Sequence, residues 1–487
     1  PAEGRLRVPL AVGARIGARG GARRGIRFGA LARLRRPLVT ARARENEESE
    51  GDLQSPRVFD HALSLVRDAE PASGWPSPTA PSTLTPGPRV SGSACPASPP
   101  HRREASVLHD RLVAVRSLGL ASFVAALAVV GCQSSGIAPA AAPPRLAEGD
   151  SPAALRLAER VAELLPGDAA GAAIAVVEDD RVSLAFGGRA DFTPETLFEL
   201  GSITKVVTAN LVAQRVLAGA LDLDTGLDRL PGGGDIGDGW SGVTLRHLLT
   251  HSSGLSGWPP NWGPVRIVFS GSLGDPFAGY DAVDLLAGMQ ETRAPEPGER
   301  WVYSNYAFAV LGRVLEQESG TPFETLARDG FIAPSGMETA TLHDWSGPAV
   351  APPRGRRGGA ATSWSFSAFA PAGALRGSLR DAVALLRHAM AACERDDPVA
   401  RATCLAREPA GFPMNADSEM GLGWVRTSRN DATVVWHNGG TGGYSTFLGF
   451  SPERRRGVVV LTNVGFLREI DALGIETVAR DAGVRAP

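Results

Sequence analysis

The sequence is almost without lysine. It contains 50 basic residues, and every one of them except Lys205 is arginine. Arginine can replace lysine wherever a fixed positive charge is enough, but its pKa above about 12 prevents it from releasing a proton at useful pH. A lysine amine can do so once burial or neighbouring cations lower its pKa. We therefore expect Lys205 to stand where an amine is needed, the alternative being chance survival in an arginine-rich composition.

Cysteine and net charge are also scarce. The four cysteines are too few for a disulfide scaffold, and their spacing matches no zinc site. A formal net charge of −2 gives no general electrostatic reason to expect nucleic acid or a membrane surface as partner. His247 and His251 are expected to share a helix face, but Leu248 stands where a zinc peptidase needs glutamate. We therefore predict no metal site.

The first 106 residues lack the apolar periodicity of a packed core. Residues 1–44 are rich in arginine, glycine and alanine, and residues 71–103 are rich in proline and serine. Such composition is typical of chain that cannot bury enough apolar surface to fold. We interpret 1–106 as a disordered leader or as a mis-assigned segment upstream of the true start. A basic arm that binds anionic partners is the alternative.

Residues 107–132 have the pattern of an export signal. Two arginines precede an apolar run over 118–130, which is shorter than the about 20 residues of a transmembrane helix. The Val-Val-Gly-Cys sequence that ends at Cys132 resembles the lipobox of bacterial lipoproteins. We predict lipidation at Cys132, a flexible linker over 133–150, and a location on the periplasmic face of a bacterial membrane, or secretion. A buried apolar helix is the alternative.

The remaining residues, 151–487, are predicted to form one α+β domain. Helical periodicity and capping residues indicate helices over 151–165, 203–217, 378–390 and 470–485. They also indicate a turn that runs into a helix over 297–315, and another helix that starts at 322–326. Extended apolar segments indicate strands over 172–177, 182–186, 433–437, 444–450 and 458–461. Because tight turns join successive strands, we expect an antiparallel sheet.

Three short motifs follow one another in this domain. They are Ser202-Ile-Thr-Lys205, Tyr303-Ser-Asn305 and His437-Asn-Gly439. In this order they resemble the serine β-lactamase and penicillin-binding protein superfamily, most closely its class C-like β-lactamases, D-peptidases and esterases. Similar blocks, such as Leu-Leu-Thr-His-Ser-Ser-Gly-Leu at 248–255, extend the resemblance over about 170–487. The resemblance implies an antiparallel β-sheet flanked by helices plus a mostly helical subdomain, with the active site between them.

The motif residues suit nucleophilic catalysis. Serine is a poor nucleophile until a base takes its proton. Positions i and i+3 of a helix are neighbours, so Lys205 can reach the Ser202 hydroxyl. Tyr303, as phenolate or as proton relay, is a second acid–base candidate, and whether it or Lys205 is the base stays open. Asn305 can orient both Lys205 and a substrate amide.

The third motif carries both a likeness and a departure. The resemblance implies that the backbone N–H of Gly440, together with that of Ser202, forms an oxyanion hole, and that Gly439 lets a strand edge approach the substrate. Class C β-lactamases have a lysine at the position of His437, where it helps to hold the substrate carboxylate. A mostly neutral histidine anchors a carboxylate less well, and His-x-Gly is more similar to D-peptidase and esterase relatives.

We therefore predict a serine hydrolase that cleaves ester or amide bonds through an acyl-enzyme on Ser202, without metal or organic cofactor. The expected partner is a small molecule or peptide with an ester, amide or lactam carbonyl. A D-amino-acid peptidase or carboxypeptidase acting on cell-wall peptides and a true class C β-lactamase are alternatives. A non-catalytic ligand-sensing lipoprotein is the alternative of another class.

Export would favour a disulfide between Cys393 and Cys404.

Overall fold

The computed structural model describes residues 141–480 apart from residues 190, 231–235, 237, 264–273, 294–295 and 348. The predicted leader, the export signal and Cys132 lie outside the described residues. No helix in the described part combines the length and the apolar character that crossing a bilayer requires.

The described residues contain one large antiparallel sheet and one small one. Their strands are β1 (Ala141–Glu148), β2 (Gly171–Glu178), β3 (Arg181–Arg189), β4 (Leu197–Glu199), β5 (Arg376–Ser378), β6 (Phe412–Pro413), β7 (Ser418–Met420), β8 (Val425–Arg429), β9 (Ala432–Gly440), β10 (Ser445–Ser451) and β11 (Arg456–Thr462). The large sheet has the spatial order β1-β3-β2-β11-β10-β9-β8-β7-β6. This confirms the predicted antiparallel sheet and joins the predicted N-terminal hairpin to the C-terminal strands through β2 and β11.

Helices cover the large sheet and fill the middle of the chain. They are α1 (Pro152–Ala162), α2 (Thr204–Leu217), α3 (Leu245–Leu249), α4 (Ala282–Glu291), α5 (Asn305–Ser319), α6 (Phe323–Ala327), α7 (Ala370–Gly373), α8 (Leu379–Ala391), α9 (Pro398–Arg407) and α10 (Glu469–Ala479). A π-helical turn over Arg328–Ile332 follows α6 directly. The helices predicted over 151–165, 203–217 and 378–390, and the one predicted to start at 322, are present within a few residues of the prediction. The turn and helix predicted over 297–315 give a helix over Asn305–Ser319, and the segment predicted over 470–485 is helical over Glu469–Ala479.

Two cores lie on opposite faces of the large sheet. Successive side chains of a strand point to opposite faces. In β2, Ala172 and Ile174 accordingly join a core with α1 and α10. Ala173 and Ala175 join a second core with α8 and the central helices. A strand covered on both faces needs apolar residues at every position, and this explains why β2 shows no polar alternation.

The predicted linker over 133–150 is too long. Its residues Ala141–Glu148 form β1, which pairs antiparallel with β3. The two prolines of this strand lack the N–H group of a ladder hydrogen bond, and they are accommodated because β1 is at the edge of the sheet. The Arg145 guanidinium also lies 5.0 Å from the centroid of the Phe186 ring. The proline-rich composition of this segment therefore led to the prediction of a linker where the structure has an edge strand.

The small sheet leads the chain into the predicted nucleophile. β4 pairs antiparallel with β5. The N–H of Leu200 then donates to the carbonyl oxygen of Leu375 at 2.8 Å. The next residues, Gly201–Ile203, form a 3-10 turn that leads directly into α2. Backbone hydrogen bonds thus hold the segment just before Ser202 on a rigid element.

Cys393 and Cys404 form a disulfide that connects the turn after α8 with α9, across 11 residues of sequence. A crosslink over a loop of this size stabilises a domain by about 2–3 kcal/mol, mainly by constraining the unfolded chain. We expect the double variant Cys393→Ser, Cys404→Ser to lose about this much free energy of unfolding in a denaturant titration. Reductant should produce the same loss in the unmodified protein and none in the variant. Equal stability with and without reductant would contradict the prediction.

Candidate active site

Ser202 lies where the 3-10 turn meets α2, and its side chain is half-buried. Its Oγ accepts a hydrogen bond from the Tyr303 hydroxyl at 2.8 Å. The same oxygen lies 2.9 Å from Lys205 Nζ. The structure thus brings together the serine, the lysine and the tyrosine that the first two motifs singled out, although Tyr303 is about a hundred residues away along the chain.

Glycines allow the end of β9 to lie against the turn that carries Ser202. Gly201 has a φ of +55°, and a Cβ at this position would lie 2.9 Å from the backbone nitrogen of Gly440. A Cβ on Gly439 would lie 2.0 Å from the carbonyl oxygen of Leu200. Only glycine fits at either position. The backbone nitrogen of Gly440 therefore lies beside Gly201, the residue before Ser202.

Lys205 is completely buried, with 0% of its surface exposed. Within the described part of the chain, no ion pair joins it to a carboxylate. Burial therefore lowers the pKa of Lys205 well below its usual range. Besides Ser202, its Nζ has two hydrogen-bond partners, Asn305 Oδ1 at 2.7 Å and the carbonyl oxygen of Ala372 at 2.8 Å.

The three partners of Nζ can all accept a hydrogen bond, so they would satisfy the three N–H groups of an ammonium; the lowered pKa favours the neutral amine, which the same atoms also accommodate. Such an amine has two N–H donors and one lone pair. The oxygens of Asn305 and Ala372 only accept, so they take the two N–H groups. In this neutral form the lone pair faces Ser202 Oγ, which lies 2.9 Å from Nζ. Lys205 is thus arranged to take a proton from Ser202.

Tyr303 and Asn305 are held by the start of α5. Ser304 is the N-cap of this helix, and its Oγ accepts the N–H of Ala307 at 3.0 Å. Burial raises the pKa of the Tyr303 phenol, against the opposing effect of its hydrogen bond to Ser202. The phenol therefore keeps its proton and donates it toward Ser202 Oγ. Of the two predicted bases, the free site favours Lys205.

His437 is buried on the same strand as Gly439 and Gly440, with 2% of its surface exposed. Burial lowers the pKa of His437 to about 3, and the nearby Lys205 acts in the same direction. Its Nδ1 lies 2.6 Å from the carbonyl oxygen of Asn438. Because a carbonyl only accepts, Nδ1 carries the proton and Nε2 presents a lone pair. His437 is therefore a neutral side chain and supplies no fixed charge.

Asn438 points away from His437 and anchors the strand to α10. Its Nδ2 donates to Asp471 Oδ2 at 2.6 Å. Burial raises the pKa of Asp471 to about 7, and the hydrogen bond from Asn438 opposes the shift. Alternation along β9 thus separates a residue that faces the site from one that holds the strand in place.

The two histidines predicted to share a helix face do not do so. α3 ends at Leu249, and His251 follows it with a φ of +57°. His247 belongs to the capping box that begins this helix. His251 lies elsewhere, with its ring 4.5 Å from that of Tyr303. The prediction was wrong because the helix is only one turn long.

Metal-ligand chemistry has little basis in the described residues. The one group of histidine, cysteine and acidic side chains close enough to share an ion there is Cys393, Cys404 and Glu408. Both of these cysteines are in the disulfide.

Comparison with known proteins places this arrangement in a family. The family model described as Beta-lactamase matches residues 157–479. The chain belongs to the beta-lactamase family. All three motifs lie inside the matched residues, and the resemblance inferred from them is confirmed. The matched part of this beta-lactamase family member begins within α1 and ends with α10.

This beta-lactamase family member is similar to proteins that are named for different activities. "Penicillin-binding protein 4*" of Bacillus subtilis (strain 168) is 26% identical over 296 residues, which are 55% of this chain and 61% of that protein. "Esterase EstB" of Burkholderia gladioli is 37% identical over 158 residues, which are 29% of this chain and 38% of that protein. The chain therefore spans less than two thirds of either relative.

A solved structure shows the same fold. The class C beta-lactamase from Rhodobacter sphaeroides superposes with a TM-score of 0.55 at 22% sequence identity, covering 67% of this chain and 98% of that one. The predicted α+β fold is confirmed.

Proposed function

We propose that the protein is a serine hydrolase that cleaves ester or amide bonds through an acyl-enzyme on Ser202. The observation that carries the proposal is Lys205. It is fully buried with a lowered pKa, and its Nζ lies 2.9 Å from Ser202 Oγ, where the lone pair of the neutral amine can take the serine proton. A surface or structural lysine needs none of these features. Ser202, Lys205 and Tyr303 are the proposed catalytic residues.

In the proposed acylation step, Ser202 Oγ attacks the substrate carbonyl carbon while its proton moves to Lys205 Nζ. The negative charge that develops on the carbonyl oxygen is stabilised by the N–H groups of Ser202 and Gly440, each donor contributing about 3 kcal/mol. The bond to the leaving group then breaks. The leaving group takes a proton from the Tyr303 hydroxyl, which regains one from protonated Lys205. The products are an ester on Ser202 and a neutral alcohol or amine.

Deacylation reverses these roles with water as nucleophile. Neutral Lys205, acting directly or through Tyr303, takes a proton from the water as it attacks the ester carbonyl carbon. The Ser202 oxygen leaves and recovers a proton from the same relay. A carboxylic acid is released, and the free site is restored. The whole cycle uses only groups of the protein and water, so we propose no metal or organic cofactor.

The proposed substrates carry an ester or amide carbonyl and do not depend on a carboxylate anchored at the third motif. Neutral, buried His437 can accept a hydrogen bond at Nε2, but it adds no positive charge there. The relatives named as a penicillin-binding protein and an esterase support this breadth. A D-amino-acid peptidase or carboxypeptidase of cell-wall peptides remains the second candidate, ahead of a true class C β-lactamase.

Covalent labelling tests the proposal directly. We expect a fluorescent fluorophosphonate or a fluorescent penicillin to label the protein and to leave Ser202→Ala unlabelled. A panel of esters, D-peptides and lactams, compared by kcat/KM, then identifies the substrate class. The rival function is a non-catalytic ligand-sensing lipoprotein. It would be favoured by stable binding of panel members with neither labelling nor turnover.

We also propose that the protein is exported as a lipoprotein anchored at Cys132. The support is the signal pattern over 107–132 and the disulfide between Cys393 and Cys404, a bond that persists in oxidising compartments. We expect lipid labelling of the bacterial protein to be lost in Cys132→Ser. Equal labelling of both proteins would contradict the anchor.

A further inference from the structure

His251 has no part in the proton transfers described above, yet it lies beside the residues that carry them out. Its side chain is buried, with 1% of its surface exposed. The ring centroid lies 4.5 Å from that of Tyr303 and 5.2 Å from that of Phe308. Lys205 and His437 are also close enough to influence its charge. His251 therefore packs against the buried side of the site, next to the Tyr303 ring.

Two hydrogen bonds join His251 to the backbone on both sides of Tyr303. Its carbonyl oxygen accepts the N–H of Val302 at 2.8 Å. Its Nδ1 accepts the N–H of Ser304 at 3.1 Å. His251 thus holds the N–H groups of the residues before and after the tyrosine, while its ring packs against the tyrosine ring.

The second of these hydrogen bonds requires a neutral imidazole. Because Nδ1 accepts, the ring proton is on Nε2. Within the described residues this buried Nε2 has no hydrogen-bond partner. Burial, with Lys205 and His437 acting in the same direction, holds the pKa of His251 well below its usual range. The left-handed backbone of His251, at a φ of +57°, is a further unfavourable feature. Unpaired buried groups and strained backbone tend to persist at functional sites.

We propose that His251 is a positioning residue that holds the Tyr303 hydroxyl within hydrogen-bond distance of Ser202 Oγ. The inference rests on the proposed function for its kinetic consequence, but its structural content stands by itself. Without the Nδ1 acceptor, the N–H of Ser304 is left unpaired and the segment around Tyr303 moves. Displacement of a catalytic group by about 1 Å lowers turnover by up to about 100-fold.

Two substitutions distinguish the effect of the Nδ1 hydrogen-bond acceptor from the effect of the aromatic ring of His251. His251→Phe keeps an aromatic ring and removes the acceptor. His251→Asn removes the ring, tolerates the left-handed backbone, and offers Oδ1 near the position of Nδ1. On the best substrate of the panel, we expect His251→Phe to lower kcat by about 10- to 100-fold with KM changed by less than about threefold. His251→Asn should keep kcat within about fivefold of the unmodified enzyme.

His388→Phe is the matched control. His388 is also a buried histidine, and its Nε2 lies 2.9 Å from Thr403 Oγ1 between α8 and α9. It should lose thermal stability without the selective loss of kcat. Unchanged kcat in His251→Phe, or an equal loss in His251→Asn, would overturn the proposal.

A crystal structure of His251→Phe provides a readout that does not depend on turnover. We expect the Tyr303 hydroxyl to lie beyond hydrogen-bond distance of Ser202 Oγ. A tyrosine that remains in place would overturn the positioning role even if the unmodified protein hydrolyses nothing. If instead the unmodified protein hydrolyses nothing but the tyrosine moves in the variant, the proposed function fails and the positioning role stands.

Discussion

Lys205→Arg is expected to lower the acylation rate to about that of Ser202→Ala, a loss of at least about 1,000-fold. Arginine is always positively charged and has no lone pair to take the proton of Ser202. It is also larger, and it would have to fit a site in which Nζ is held by Asn305 and Ala372. The measurement is the rate of covalent labelling by a fluorophosphonate under single-turnover conditions.

The control for this substitution lies at the other end of the same helix. Arg215, in the last turn of α2, pairs with Glu318 and is partly exposed. Arg215→Lys makes the reverse exchange, and it should leave labelling unchanged. Near-normal acylation by Lys205→Arg would show that charge alone is sufficient.

Activity of the unmodified enzyme should also fall as pH is lowered through the depressed pKa of Lys205, because the protonated amine cannot accept a proton.

Gly439→Ala is expected to have the second largest effect. The new methyl group would lie 2.0 Å from the carbonyl oxygen of Leu200 and 2.4 Å from Thr446 Oγ1, far inside contact distance. The end of β9 would have to move away from the turn, taking the N–H of Gly440 with it. Loss of one oxyanion donor lowers kcat by about 100- to 1,000-fold. The same displacement should lower the free energy of unfolding by about 1–3 kcal/mol.

Gly359→Ala is the matched control, because a Cβ at Gly359 meets nothing within 4 Å. It should change neither kcat nor the melting temperature. If Gly439→Ala is destabilised but retains full kcat, the strand has adjusted without opening the oxyanion hole. The proposed role of Gly440 would then be wrong.

Local patterns in the sequence were sufficient to predict much of the fold and the partners of Ser202. Apolar runs located α2 and α5, which are buried on all sides over much of their length, and amphipathic periodicity with a capping serine located α8. Short motifs located Ser202, Lys205 and Tyr303, because nucleophile activation requires particular side-chain types at particular spacings.

The remaining features depend on tertiary contacts. β1 is a strand because β3 offers it an edge, and its proline-rich composition gives no such indication. The carbonyl oxygen of Ala372 is a backbone group that any residue could supply. His251 does not lie on the predicted helix face, because α3 ends after one turn and the chain then turns toward Tyr303. Such features become visible only when distant segments are placed side by side.

Under the proposed lipid anchor at Cys132, the pairing of β1 with the sheet would also limit how far the domain can lie from the membrane. A fully extended chain spans about 3.3–3.6 Å per residue. If Cys132 carries a lipid, the stretch from there to Ala141 can reach about 30 Å, whereas a free linker to residue 150 would have reached about 60 Å. Half of the expected tether is therefore committed to the sheet. The anchored domain would then stay close to the bilayer surface, and a substrate farther from the membrane would have to diffuse toward it.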